Sequence, residues 1–174
     1  MLLYLFYSCN SNKVEFAIVI HGGAGTILKK NMSDEMELAY KLKLEEAINA
    51  GYNILEKNGS SKDAVEETIK ILENSELFNA GKGSVLSNKG VVEMDASIMN
   101  GKNLNAGAIS GIKTIKNPIS AARLVMEKSE HVFLSGEGAE EFAKLQGLDI
   151  IDNEYFIIET RLKSILNAKK RDVI

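Results

Sequence analysis

The sequence predicts a mixed α/β domain, and three observations carry that expectation. Val14-Glu15-Phe16-Ala17-Ile18-Val19-Ile20 is a β-branched, nearly continuous apolar run, the pattern of a strand buried on both faces. A helical period follows between residues 33 and 58, with Tyr40, Leu44, Ala47, Ile48, Gly51 and Leu55 on one face. Beyond residue 91 the pattern turns to short strands around an Asn100-Gly101-Lys102-Asn103 turn, which predicts a hairpin.

Each element has its own punctuation. Ser33 and Asp34 suit the start of the first helix, and Asn58-Gly59 its stop. A second helix begins at Ser60, where Ser60 and Asp63 form a capping box. Its expected buried stripe is Ala64, Val65, Thr68, Ile69 and Leu72. Strands are predicted over 91–99 and 106–112. The single proline, after Asn117, predicts a helix from Pro118 to Lys128 with Asn117 as its N-cap and Ala121, Ala122, Leu124 and Val125 buried. His131 to Leu134 reads as a short strand, and Gly136-Glu137-Gly138 as the turn into a helix ending near Gly147. Tyr155 to Lys169 reads as the last helix.

Composition narrows the function classes. A chain of 174 residues with 45% hydrophobic residues suits one domain, or a large piece of one, able to bury roughly 70% of its unfolded surface. A net charge of −3 without clustered Lys and Arg gives no reason to expect a nucleic-acid partner. Cys9 is the only cysteine, so an intrachain disulfide and a Cys/His zinc site are excluded. No apolar run reaches the ~20 residues of a membrane-spanning helix. Residues 1–9 are nonetheless apolar and end in Ser8-Cys9, which leaves two readings of 1–13 open: a truncated lipoprotein signal or a simple tail. The first would make the protein periplasmic or lipid-anchored, the second cytoplasmic.

Several short motifs fail as signatures. Gly81-Lys82-Gly83-Ser84 has Glu76 where a phosphate-binding loop needs glycine, and Glu141 stands where Gly136-x-Gly138 would need its third glycine. His21-Gly22-Gly23-Ala24-Gly25 reads either as a tight structural turn or as an oxyanion loop. The Gly-x-Ser-x-Gly nucleophile turn of α/β-hydrolases is missing. Glu93 and Asp95 would share a strand face, as paired carboxylates, a solvent-facing pair, or one structural Asp bonded to loop amides.

In combination the motifs are specific. The chain resembles the isoaspartyl peptidase/plant-type L-asparaginase family of N-terminal-nucleophile hydrolases. The resemblance rests on the strand leading into His21-Gly22-Gly23-Ala24-Gly25, on Phe78-Asn79-Ala80-Gly81-x-Gly83, and on Glu93-Met94-Asp95-Ala96-Ser97-Ile98-Met99-Asn100-Gly101. It continues in order through Ala106-Gly107-Ala108, the segment 117–126 and the segment 131–139. It implies an αββα sandwich made by a precursor that cuts itself into α- and β-subunits, the α-domain here being 14–168 and the inter-subunit linker starting at 169–174. The cut exposes a threonine that is nucleophile and, through its own α-amine, base.

The only Gly-Thr pair in the sequence is Gly25-Thr26, in the N-terminal loop. The resemblance therefore implies a chain that is α-subunit alone, inactive by itself, with the nucleophile on a β-subunit and an (αβ)2 assembly as the working form. A catalytically inactive product or scaffold of the same fold is the rival expectation. Asn79 matches the family's asparagine beside the nucleophile, with His21, Gly22 and Gly23 as support. Backbone carbonyls of Leu72, Glu73, Ser75, Phe78, Ala80 and Lys82 match a structural sodium loop, and no organic cofactor is implied. The implied substrates are asparagine or a β-aspartyl dipeptide. An α-subunit alone would leave strand edges and a sheet face bare, so isolated chain is expected to aggregate or oligomerise.

Overall fold

The computed structural model describes residues 15–23 and 32–171, so the calls made on residues 1–14, on Ala24 to Thr26 and on the extreme C-terminus lie outside it. Five helices and one three-stranded sheet make up a mixed α/β domain: α1 (Asp34–Glu56), α2 (Ser61–Glu73), β1 (Met94–Met99), β2 (Ala106–Ile112), α3 (Pro118–Lys128), β3 (Phe133–Ser135), α4 (Gly136–Leu145) and α5 (Glu159–Lys170). Single 3-10 turns lie at Gly81–Gly83 and Asn153–Phe156. No helix among the described residues is long and apolar enough to cross a membrane.

The caps explain where the helices begin. Ser33 Oγ accepts from the Met36 N–H at 3.2 Å. Ser60 Oγ accepts from the Asp63 N–H at 3.1 Å and donates to the Asp63 carboxylate at 2.6 Å, closing the expected box. Pro118 stands in the first turn of α3, but Asn117 makes no capping bond. Instead Glu73, at the end of α2, accepts from the Ile119 N–H at 2.9 Å and from Asn117 Nδ2 at 3.0 Å. A carboxylate from another helix thus takes the acceptor role expected of Asn117, which becomes a donor.

The sheet runs β1-β2-β3, antiparallel between the first pair and parallel between the second. Between Met94 and Ala96 the register shifts, and Asp95 Oδ1 accepts from the N–H of Gly111 (φ +65°) at 2.9 Å. Its carboxyl is held below the usual range by the Ser110 hydroxyl and then by the Gly111 N–H. Glu93 pairs separately with Lys113 at 3.4 Å, so these carboxylates do not act together. Helix α3 covers one face of the sheet with Ala121, Ala122 and Val125 against Ile98, Ile109 and Ile112. The other face presents Asp95, Ser97, Ser110 and Phe133 around a shallow open concavity.

A second, smaller core joins Ala47 of α1, Leu72 of α2 and Phe78, with Ile69 shared between the two clusters. Val65, expected in the stripe of α2, is 42% exposed. Gly51 sets the closeness of α1 to α2: a Cβ there would stand 2.3 Å from Thr68 Oγ1 and 2.5 Å from Ile18 Cδ1. Gly51→Ala should therefore destabilise by about 1–2 kcal/mol, because the overpacking outweighs alanine's helix propensity. Thr68→Ala in the same chain should recover part of the loss in urea unfolding.

The run expected as a doubly buried strand is corrected by the structure. Residues 15–20 pair with no strand among the described residues, and burial alternates along them. Phe16 meets Tyr52 with ring centroids 5.1 Å apart and Ile20 joins the smaller core, whereas Val19 is 90% exposed. The half-buried side chains face α1 and the smaller core, while Glu15, Ala17 and Val19 are exposed, so one face stays open. The last helix also starts later than expected, since residues 153–156 form the 3-10 turn.

Candidate functional site

The loop from the end of α2 to Val85 gathers the predicted site residues, and it is held from several directions. Ser75 Oγ accepts from the Leu77 N–H at 3.3 Å, and Tyr40 of α1 donates its hydroxyl to the Leu77 carbonyl at 2.7 Å. The Phe78 ring stands edge-on to Tyr40, with centroids 5.6 Å apart. Asn79 is exposed, and its Oδ1 accepts from the Val85 N–H at 2.9 Å, tying the two arms of the loop. Gly81 (φ +50°) and Gly83 then form a single 3-10 turn closed by Gly83 N–H to Ala80 O at 3.1 Å.

Both glycines are required by close approach. A Cβ on Gly81 would lie 2.1 Å from the Glu73 carbonyl oxygen, and one on Gly83 would lie 2.1 Å from that of Phe78. The Glu73 and Phe78 carbonyls therefore point toward the Gly81–Gly83 turn. The carbonyls of Glu73, Ser75, Phe78 and Lys82 accept no backbone N–H among the described residues, while those of Leu72 and Ala80 accept from Ser75 and Gly83. Carbonyls without a backbone donor take another partner, and a hard cation with oxygen ligands is chemically suited to be one. The chemistry of these carbonyl donors fits such an ion.

Of His21, Gly22 and Gly23, it is Gly22 that reaches the loop, while His21 and Gly23 are exposed. A Cβ on Gly22 would lie 3.2 Å from Leu44 and 3.6 Å from the Phe78 ring, so this segment lies against the floor of the loop. His21 Nδ1 accepts from the Gly23 N–H at 3.2 Å, which requires that nitrogen to be unprotonated. Gly23, at φ +102°, then turns the chain.

The side-chain roles of Glu73 and Lys82, whose carbonyls alone the sequence singled out, and the whole role of Arg161 left no motif in the sequence. The Glu73 side chain is 3% exposed, and burial pushes its carboxyl up to about 7 against the opposing pull of Asn117 and the Ile119 N–H. Lys82 pairs with Glu76 at 2.7 Å, which raises its ammonium, and lies 5.7 Å from the centre of the Tyr155 ring. Arg161 of α5 donates Nε–H to the Gly83 carbonyl at 2.8 Å. Apart from the local Lys82–Glu76 pair, each is a contact between segments far apart in the chain.

Known proteins share much of this sequence. A family model described as asparaginase matches residues 14–173. The chain belongs to the isoaspartyl peptidase/L-asparaginase family. It is 49% identical over 154 residues to an isoaspartyl peptidase/L-asparaginase of Xenopus laevis, covering 88% of this chain and 48% of the relative. It is 44% identical over 152 residues to an isoaspartyl peptidase of Salmonella typhimurium, covering 87% and 49%. It is 54% identical over 136 residues to a plant-type L-asparaginase of Pyrococcus furiosus, covering 78% and 43%. The chain thus spans about half the length of the curated relatives it matches.

Proposed function

We propose that the chain is the α-subunit part of an isoaspartyl peptidase/L-asparaginase that releases L-aspartate from asparagine or β-aspartyl dipeptides. The observation that carries this reading is the 44–54% identity to relatives so named, running through the Asn79 loop and covering about half their length. In this reading a β-subunit from the same precursor completes the αββα sandwich and brings an N-terminal threonine. The threonine Oγ attacks the side-chain carbonyl, its α-amine takes the proton, and water then releases aspartate from the acyl-enzyme. Two such pairs make the (αβ)2 form.

This chain's share of the chemistry is positioning. Asn79 Oδ1 is committed to the Val85 N–H, which leaves Nδ2 to face the incoming threonine. The carbonyls of Leu72, Glu73, Ser75, Phe78, Ala80 and Lys82 would hold Na+, and the bound ion supplies a fixed positive charge that draws them together. Gly22 supports the loop through Phe78, with His21 and Gly23 flanking it. The open face of residues 15–20 and the bare face of the sheet suit the docking of the second half.

The test is aspartate release from a β-aspartyl dipeptide, by the chain alone and after co-expression with the second half of a family member. No turnover alone and turnover in the assembled pair are expected, and Asn79→Ala in that pair should lower kcat by roughly 10- to 100-fold. Turnover by the chain alone would overturn the reading. An assembled pair that releases no aspartate would replace it with a non-catalytic scaffold.

A further inference from the structure

The segment that follows the sheet domain reaches back to the carbonyl loop by a continuous line of contacts. Asn153 docks that segment on the sheet: its Nδ2 donates to the Val92 and Lys113 carbonyls, each at 2.9 Å, and its Oδ1 accepts from the Val92 N–H at 3.1 Å. Phe156 is fully buried and stands edge-on to Tyr155, with ring centroids 5.2 Å apart. Tyr155 in turn lies beneath the Lys82 ammonium. Arg161, in the first turn of α5, donates to the Gly83 carbonyl. Lys82 is therefore held at its side chain, and the residue after it is held at its carbonyl.

We propose that Arg161 is a positioning residue for the loop: by holding the Gly83 carbonyl it seats the Gly81–Gly83 turn against the Glu73 and Phe78 carbonyls and so sets the loop's affinity for Na+. This rests on the reading that the loop holds a cation. The geometry makes the link direct. Gly81 and Gly83 lie against the Glu73 and Phe78 carbonyls, since a Cβ on either glycine would meet those oxygens at 2.1 Å. Arg161 holds the carbonyl at the end of this turn. With that carbonyl released, the turn is free to lift, and the Glu73 and Phe78 carbonyls lose the backbone that seats them. The Gly83 carbonyl is the one polar atom of the loop that a charged donor from α5 engages. A charge-assisted bond of this kind is among the stronger restraints a side chain can place on a peptide.

The experiment measures the rise in melting temperature of the full chain, co-expressed with its second half if needed for solubility, as NaCl replaces choline chloride at constant ionic strength. The sodium concentration giving half the rise supplies an apparent Kd, checked by 23Na line broadening. Arg161→Ala should weaken sodium roughly tenfold, about 1.4 kcal/mol. Arg161→Gln, which keeps an N–H donor without the charge, should weaken it less. A variant that merely destabilises lowers the melting temperature equally in both salts and leaves the sodium increment unchanged, which overturns the proposal. So does tighter sodium binding in either variant, since that makes the guanidinium a repelling charge. Parent protein that gains nothing from sodium overturns the cation reading itself, and this proposal with it.

Discussion

Replacing Gly107 with alanine should cost about 3 kcal/mol, or prevent the chain from accumulating in soluble form. Gly107 is where β2 and α3 touch backbone to backbone. An added Cβ would lie 2.2 Å from the Ala122 carbonyl oxygen and 2.4 Å from the Met126 nitrogen. Neither atom can swing aside as a side-chain tip would, so the whole of α3 must lift from the sheet. Ala121, Ala122 and Val125 would then lose contact with Ile98, Ile109 and Ile112, the centre of the larger core. That combination of overpacking and lost contact sits at the upper end of the usual range for enlarged core residues. Urea unfolding followed by circular dichroism gives the number, with Gly101→Ala as the control. Nothing lies within 4 Å of a Cβ at Gly101, so that variant should stay within about 0.5 kcal/mol of the parent. Equal midpoints for Gly107→Ala and the parent would mean that the close approach of β2 to α3 is not a constraint.

Glu73→Ala should be the second severe change, at about 3 kcal/mol. It strands the buried N–H of Ile119 at the start of α3, removes the acceptor of Asn117 and leaves a gap between α2 and α3. A buried donor without a partner costs ~1–3 kcal/mol by itself, and the gap adds to it. Glu73→Gln keeps an oxygen for Ile119 and sheds the cost of burying a charge, so it should lose less than half as much. Measured by the same urea method, equal losses in the two variants would show that the negative charge rather than the acceptor matters. The Arg123 pairs with Asp63 and Glu66, both at 2.6 Å, also join α2 to α3, but at a partly exposed surface. They are not expected to substitute for Glu73.

The severe sites differ in how far the sequence announces them. Ser33, Ser60 and Pro118 mark helix starts because a cap acts within one turn of its own position, and such signals survive in the sequence. Glu73 caps a helix that begins 44 to 46 residues later, so no local pattern reveals it. Residues 15–20 mislead for a related reason. Their apolar run signals a strand with two covered faces, while the described residues cover only one. The loop around Asn79 is legible through its ordered motifs, and the close approach of the Glu73 and Phe78 carbonyls to its turn is consistent with the glycine spacing. Its anchors Tyr40, Tyr155 and Arg161 are not legible, because an anchor is defined by the tertiary contact alone. Asp95 could be read as a structural carboxylate, and its bond to the Gly111 N–H is such a role.

The Tyr40 and Arg161 bonds to the loop also fix an order of assembly. Tyr40 reaches Leu77 across 37 positions of sequence, and Arg161 reaches Gly83 across 78. Closing spans of that length costs more entropy than forming the α1–α2 hairpin or the β1–β2 hairpin, whose partners are near in sequence. Both helical and sheet layers are therefore complete before the loop is pinched between them. In a refolding experiment the far-ultraviolet signal should return first. The tyrosine signal of Tyr40 and Tyr155 should follow it, so that the site is the last part of the molecule to acquire its shape.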